Sequence, residues 1–284
     1  MRIRRLWLAG LALLFLAAGC SRRPSGIQVT GSDTLVNLAQ AWAAEFMKAH
    51  PQAAVSVTGG GSGVGIAALL SGTTDIATAS REMEPQELAQ ARQAGLAPVR
   101  HEVALDAVTV VVNPRNPVAR LTIPQLAAIY TGRITNWQAV GGPRQRIVAL
   151  ARDRNSGTHL FFLEHVLRGG NPRGKQEYVA SVLLLPSNQA IADEVAGNPW
   201  AIGYVGLGYL EPRRHRAVAV AASPSGPFVL PSAQTVRNRS YPIARPLLMY
   251  TRQQPRPQVS QFLTFVTSPQ GQAIVPRLGF VPVR

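Results

Sequence analysis

IQVTGSDTLVNLAQAWAAEFMKAH, residues 27–50, passes from one backbone period to another within a few residues. Ile27-Gln28-Val29-Thr30 alternates apolar and polar side chains, the pattern of a strand. From Leu35 onward the apolar positions Leu35, Leu38, Ala39, Trp42 and Phe46 recur at helical spacing over residues 35–50. Gly31-Ser32-Asp33-Thr34 fills the gap, and small hydroxyl and acidic residues in that place suit a helix start. A strand that runs through a tight polar turn into a helix is half of a parallel α/β unit.

The same passage recurs along the chain. A strand over residues 54–58 leads into Gly59-Gly60-Gly61-Ser62-Gly63-Val64-Gly65 and a small helix over 66–70. A third strand, 75–80, ends at Ser80-Arg81-Glu82. Further on, a strand over 147–150 leads into Arg152-Asp153-Arg154-Asn155-Ser156-Gly157-Thr158 and a helix over 160–167. Between these two groups, residues 102–112 carry the apolar run Val108-Thr109-Val110-Val111-Val112, closed by Asn113-Pro114. That run reads as a buried strand carrying the chain out of a first domain. A helix over 123–130, the turn Thr131-Gly132 and a strand over 201–206 continue the second domain. The apolar stretch 241–250 is long enough to return the chain to the first, and a final helix spans 257–267.

A chain of 284 residues with 46% hydrophobic and 15% charged residues has the size and composition for two folded domains with their own cores. Residues 1–19 read as a leader: a basic start (Arg2, Arg4, Arg5), an apolar run over 6–18, then Ala17-Ala18-Gly19-Cys20. The apolar run is short for a membrane span. Cys20 is the chain's only cysteine and completes a pattern similar to the bacterial lipobox, so it is the expected lipidation site. Lipidation there leaves no thiol for a disulfide, a metal or thiol catalysis. Ser21, in place of an aspartate, favours the outer membrane in a Gram-negative envelope. The formal charge is +15, and loss of the leader's three arginines leaves +12. No RNA-binding signature and no long basic run accompany this charge, so nucleic acid is not an expected partner. Small anions and anionic lipid suit an exported chain better.

Three chemistries compete for the serine-rich turns. For a nucleophile elbow, Ser62 has Val64 where the second glycine belongs. Ser156 has His159 nearby but no evident group to orient that histidine. His50, His101, His165 and His215 are scattered without metal-ligand spacing, and no metal or cofactor is expected. Gly63-Val64-Gly65-Ile66-Ala67-Ala68 fits a dinucleotide fingerprint with Glu82 some way on, yet an exported chain meets no cytosolic cofactor. An anion cradle fits best. Helix starts present free N–H groups and a positive dipole end, and three of them stand at the carboxyl ends of strands. Ser32, Asp33, Thr34, Ser62, Gly63, Ser156, Gly157 and Thr158 lie on these turns, and Arg152 offers a planar fork suited to an oxyanion.

At this point the chain from about residue 27 onward resembles the substrate-binding proteins of phosphate ABC importers, the PstS-like family with a periplasmic binding protein fold. The motifs that carry the resemblance stand in order: Gly31-Ser-Asp-Thr34, Gly60-Gly-Ser-Gly-Val-Gly65, Ala79-Ser-Arg-Glu82 and Asp106-Ala-Val-Thr-Val-Val-Val-Asn-Pro114. Ile129-Tyr-Thr-Gly-Arg-Ile-Thr-Asn-Trp137, Arg152 to Thr158 and Ala201-Ile-Gly-Tyr-Val205 follow. The resemblance implies an α/β protein of two lobes (type II), joined by two crossover strands as a hinge, with the ligand cleft between them. It implies a lipidated tether at 20–26, lobe 1 from 27–110 plus 242–284, and lobe 2 from 111–241. It implies a monomer that binds phosphate, has no catalytic residue and docks on the membrane subunits of an ABC permease. Carried over by position, Thr34, the main chain of Leu35, Ser62, Arg152, Ser156, Gly157 and Thr158 are expected to contact phosphate. Where some members have an aspartate that accepts the phosphate proton, this chain has Arg81. The expectation is that Arg81 reaches the anion with Ser80 beside it.

Overall fold

The computed structural model describes residues 26–171 and 173–283; the expected leader, Cys20 and all of the tether before Gly26 lie outside them. The opening stretch forms strand β1 (Ile27–Gly31), a 3-10 turn over Asp33–Leu35 and helix α1 (Val36–Ala49). Strand β2 (Val55–Thr58) leads into helix α2 (Ser62–Ser71), which begins four residues before the expected 66 because Ser62 and Gly63 already belong to it. Strand β3 (Ile76–Ala79) is followed by helix α3 (Pro85–Gln93), capped by reciprocal bonds between Glu84 and Glu87 with Pro85 at its first position.

The 102–112 run is the second part of a longer strand, β4 (Val99–Val112). Strand β5 (Arg120–Thr122), helix α4 (Ile123–Tyr130), strand β6 (Val148–Arg152) and helix α5 (Gly157–Phe162) come next. β6 runs two residues beyond the expected end, placing Arg152 in the strand, and α5 passes into a π-helical turn over Leu163–Leu167. Strand β7 (Leu183–Leu185), helix α6 (Asn188–Gly197) and strand β8 (Ala201–Gly206) follow. Short strands β9 (Arg216–Ala217) and β10 (Ala219–Ala221) and helix α7 (Ala233–Arg237) precede strand β11 (Ala244–Thr251). Helices α8 (Pro257–Thr267) and α9 (Pro269–Gln272) follow, and a 3-10 turn over Val275–Leu278 comes last.

Among the described residues the main sheet has the order β2-β1-β3-β11-β4-β8-β6-β7, with β9 also on β4. β2, β1 and β3 are mutually parallel; β8, β6 and β7 are parallel in the other half. β4 and β11 run antiparallel between these halves. Residues 99–107 of β4 pair with β11, and residues 108–112 of β4 pair with β8. The two crossover strands implied by the family resemblance are therefore one antiparallel pair. Side chains on and beside these strands enter two buried clusters, one of which also takes in Val111, Leu150, Ile191 and Val205. Val103, Ala104, Leu247 and Met249 pack with Leu38, Trp42, Phe46 and Phe262, whereas Val108, Val110, Tyr241 and Ile243 pack with Leu126, Tyr130, Phe162 and Tyr204. Each group is closed to water, and burial of such side chains contributes roughly 1.5–3 kcal/mol apiece. No helix among the described residues is long and apolar enough to cross a membrane.

Candidate functional site

Glycines set the turns that face each other between the two halves. Gly31 has φ +143°, and a Cβ there would lie 2.2 Å from the Thr78 carbonyl oxygen, so β1 can bend over β3 only without a side chain. The Ser32 amide then donates to Thr78 O at 2.9 Å, and Gly61 N donates to Gly31 O at 2.9 Å. The first and second turns are thus stitched together. Across from them stands the turn between β6 and α5, where Ser156 is the helix cap. Its Oγ accepts from the amides of Thr158 and His159.

These three turns meet. Gly63 N donates to Asn155 O at 3.2 Å, and Thr34 Oγ1 lies 3.0 Å from Thr158 Oγ1. Ser62 Oγ accepts from Ser80 N at 3.0 Å and lies 3.4 Å from Ser80 Oγ. Gly157 packs directly on this pair: a Cβ there would sit 2.2 Å from Ser62 Oγ and 2.7 Å from Ser80 Oγ. Ser32, Thr34, Ser62, Ser80, Ser156, Gly157 and Thr158 are all buried. The hydroxyls of Thr34, Ser62, Ser80 and Thr158 and the first turn of α5 therefore converge on one closed position between the halves. Leu35, from the same turn as Thr34, is buried with its amide donating to Ser32 O at 3.1 Å.

Two arginines stand behind the hydroxyls. Arg152, 1% exposed, donates from Nη1 to Asp33 Oδ2 (3.0 Å), from Nη2 to Pro186 O (2.8 Å) and from Nε to Leu185 O (3.4 Å). Asp33 Oδ2 also accepts from the amide and the side chain of Asn188, at 2.9 and 2.6 Å. Asp33 thereby joins the first turn to both β6 and α6. The second arginine, Arg245, has no counterpart in the sequence-based set. It lies at the head of β11, donates from Nε and Nη2 to Asp106 Oδ2 (3.0 and 2.8 Å) and from Nη1 to Ser80 O (3.0 Å). Its Nη2 is also 3.4 Å from Thr34 Oγ1, and its guanidinium lies over the Phe161 ring. Asp106 Oδ1 accepts from Leu207 N at 2.8 Å. Burial pushes the Asp106 carboxyl up and the Arg245 guanidinium down, and their mutual attraction and hydrogen bonds oppose both shifts. The pair spans the point where β4 and β11 cross between the halves.

Arg81 points elsewhere. Its Nη1 and Nη2 donate to the two Glu87 oxygens at 2.7 and 2.8 Å, Nη1 donates to Glu82 O at 2.9 Å, and Glu84 lies 3.3 Å from Nη2. Burial opposes its charge, but these carboxylates outweigh that and hold its pKa above the ordinary value. Arg81 backs the second turn, with Nη2 3.7 Å from where a Gly63 Cβ would stand. Its hydrogen bonds go to the start of α3.

Among the described residues no histidine or carboxylate is hydrogen-bonded to the hydroxyls of Thr34, Ser62, Ser80 or Thr158. Ser156 Oγ is taken up as a cap, and His159 Nδ1 lies 2.7 Å from Arg152 O with its ring against Tyr178. Burial lowers the His159 pKa, and a carbonyl only accepts, so the neutral ring carries its proton on Nδ1 and donates it there. Among the described residues, no group of three or more His, Cys, Asp or Glu could hold a metal ion. A cluster of donors backed by fixed positive charge can bind an anion but has no nucleophile–base pair to transform one.

Two lobes on one antiparallel crossover pair, with helix starts and hydroxyls facing each other across the cleft, define a solute-binding protein. In agreement, residues 18–270 match the family model of the PBP superfamily domain. The Bacillus subtilis phosphate-binding protein PstS is 30% identical over 268 residues, covering 94% of this chain and 84% of that protein. The Pseudomonas aeruginosa PstS is 29% identical over 319 residues, covering 100% and 96%. Among solved structures, a Clostridium perfringens substrate-binding protein with bound phosphate superposes with a TM-score of 0.81 at 30% identity, covering 92% of this chain and 100% of that one. The chain belongs to the PstS-like phosphate-binding proteins of the PBP superfamily.

Proposed function

We propose that this chain captures inorganic phosphate outside the cytoplasm and delivers it to an ABC-type importer, acting as a binding protein and not as an enzyme. The observation that carries the reading is the buried meeting of Thr34, Ser62, Ser80, Gly157 and Thr158 with two arginines behind them. Phosphate offers acceptor oxygens in a tetrahedron, and hydroxyls and helix-start amides supply donors from both lobes to match. Arg152 and Arg245 supply the positive field, Ser32 and Asp33 shape the first turn, Gly63 the second, and Ser156 orders the start of α5. The amides of Leu35 and Gly63 already have protein acceptors, so they act through turn geometry. Arg81 supports the second turn from behind.

In this reading lobe 1 comprises residues 27–110 and 242–284, and lobe 2 residues 111–241, with Asp106 and Arg245 at the hinge. Closing on phosphate presents both lobes to the permease together, so occupancy is read as shape. Cleavage before Cys20 and lipidation of its thiol would tether a monomer by residues 20–26, on the outer membrane in a Gram-negative envelope. Mass spectrometry of the chain isolated from membranes tests the anchor: a diacylglyceryl mass on Cys20 is expected, and an unmodified cysteine or an uncleaved leader overturns it. For the ligand, calorimetric titration against phosphate, arsenate, sulfate and molybdate is the test. One-site binding with phosphate and arsenate ahead of the other two is expected. Equal heats for all four, or turnover of a phosphate ester, would sink the reading.

A further inference from the structure

Charge is divided unevenly along the chain. Residues 111–241 carry fifteen arginine and lysine side chains against six aspartates and glutamates, whereas residues 27–110 and 242–283 together carry eight of each. The phosphate cluster does not account for this excess, since Arg152 is buried in it while most of the others are on the surface.

A large share of the surplus gathers at one end of the second half. β6 and β8 start side by side, with Val148 paired to Ala201, and the phosphate cluster stands at their opposite, carboxyl ends. At the starting end several loops are tied together. Val148 N and Trp137 Nε1 both donate to Trp200 O at 3.0 Å, Asn136 bridges Arg146, and Asn116 Nδ2 donates to Pro199 O at 3.4 Å. Gly132, Thr135 and Arg146 line one small cavity, and Arg115, Pro199 and Arg213 line a broad neighbouring depression. These ties put Arg115, Arg133, Arg144, Arg146 and Arg213 on one face. All five are exposed, and among the described residues none of them pairs with a carboxylate. Asp193, which lines the depression, is engaged by Arg214, as is Glu211.

We propose that this face docks on an anionic lipid bilayer, with phosphate-bearing headgroups as its partners. A guanidinium fork matches two oxygens of a phosphodiester, and arginine sheds water more readily than lysine. Basic residues beside an anionic membrane contribute nearly independently, roughly fivefold in partitioning for each. Because the face lies at the amino ends of β6 and β8, a docked chain keeps its cleft clear of the bilayer. The inference does not depend on which anion fills the cleft.

The test uses the chain from Gly26 onward, which comprises the described fold, and sedimentation with vesicles of phosphatidylcholine alone or mixed with phosphatidylglycerol. Binding only to the mixed vesicles is expected, weakening as salt shortens the screening length from about 10 Å at 0.1 M. The triple variant Arg133→Ser, Arg144→Ser, Arg146→Ser should partition on the order of a hundredfold more weakly. A triple variant of the other lobe, Lys48→Ser, Arg92→Ser, Arg277→Ser, removes the same charge and should change partitioning far less. Calorimetry with phosphate should be the same for both variants and the parent chain, which separates this proposal from the proposed function. Equal binding to both vesicle types, or equal loss in the two triple variants, overturns the proposal. So does tighter binding to duplex DNA than to the mixed vesicles, which would make nucleic acid the partner.

Discussion

Replacing Gly157 by alanine adds one methyl group at the point where the lobes meet. That carbon would stand 2.2 Å from Ser62 Oγ, 2.7 Å from Ser80 Oγ and 2.9 Å from Ser62 Cβ. Ordinary contact needs more than 3.4 Å, so the turn before α5 must retreat from the second turn by about an ångström or Ser62 must leave its place. Either movement separates Thr158 from Thr34 and draws the first turn of α5 off the shared position. If two charge-assisted hydrogen bonds to phosphate are lost at about 1.5 kcal/mol or more each, affinity falls at least about a hundredfold. The same change in an open lobe costs nothing: Gly157 is the first residue of α5 and its φ is not among the left-handed values. Alanine there removes glycine's entropy cost, so the phosphate-free chain should melt at the same temperature or slightly higher. Titration calorimetry and thermal melts with and without phosphate measure both quantities. A Gly157→Ala chain that binds within threefold of the parent would refute the closed-cleft geometry.

Three other outcomes follow from the same structure. Arg81→Ala should leave phosphate affinity within about threefold while lowering stability by about 1–3 kcal/mol, because the lost hydrogen bonds go to Glu87 and Glu82; a thirtyfold loss of affinity with unchanged melting would make Arg81 a ligand after all. Asp106→Asn strips a buried partner from Arg245, both with fully buried side chains, and should cost about 3 kcal/mol or more in urea unfolding, with less than 1 kcal/mol contradicting the charged pair. Burial lowers the pKa of His101, His159, His165 and His215 below the ordinary 6.5. The unfolded chain therefore binds more protons just below that value, so their contribution is complete above it and declines as pH falls through 6.5 toward the folded values. Melting temperature should drop between pH 7 and 5.5, and a flat profile there would show these rings to be solvated.

What the sequence displayed was local. The strand–turn–helix passages at 27–50, 54–71 and 147–167 were legible because glycine, hydroxyl and period changes fall within a dozen residues of each other. The crossover strands were legible as long apolar runs. Their partners were not. Arg245 and Asp106 lie 139 residues apart, and Asn188 meets Asp33 from 155 residues away, so nothing near either one signals the contact. Helix α6, which presents Asn188, did leave a trace, a Ser187 cap ahead of apolar residues at 191, 192 and 195. Arg81 shows the converse: its partner Glu87 is only six residues on, but the pull of an anion motif is read more readily than the capping pattern Glu84-Pro85-Gln86-Glu87. Charge asymmetry emerges only when the residues are sorted by lobe.

Titration of the purified chain with orthophosphate near pH 7.5, beside the Thr158→Val variant, tests the central claim most directly. A single saturable site is expected in the parent chain, with thermal stabilisation that grows with ligand concentration. Loss of the Thr158 hydroxyl, 3.0 Å from Thr34 Oγ1 between the lobes, should weaken binding about tenfold or more. No saturable heat in the parent, or identical affinity in the variant, would contradict phosphate capture at this position.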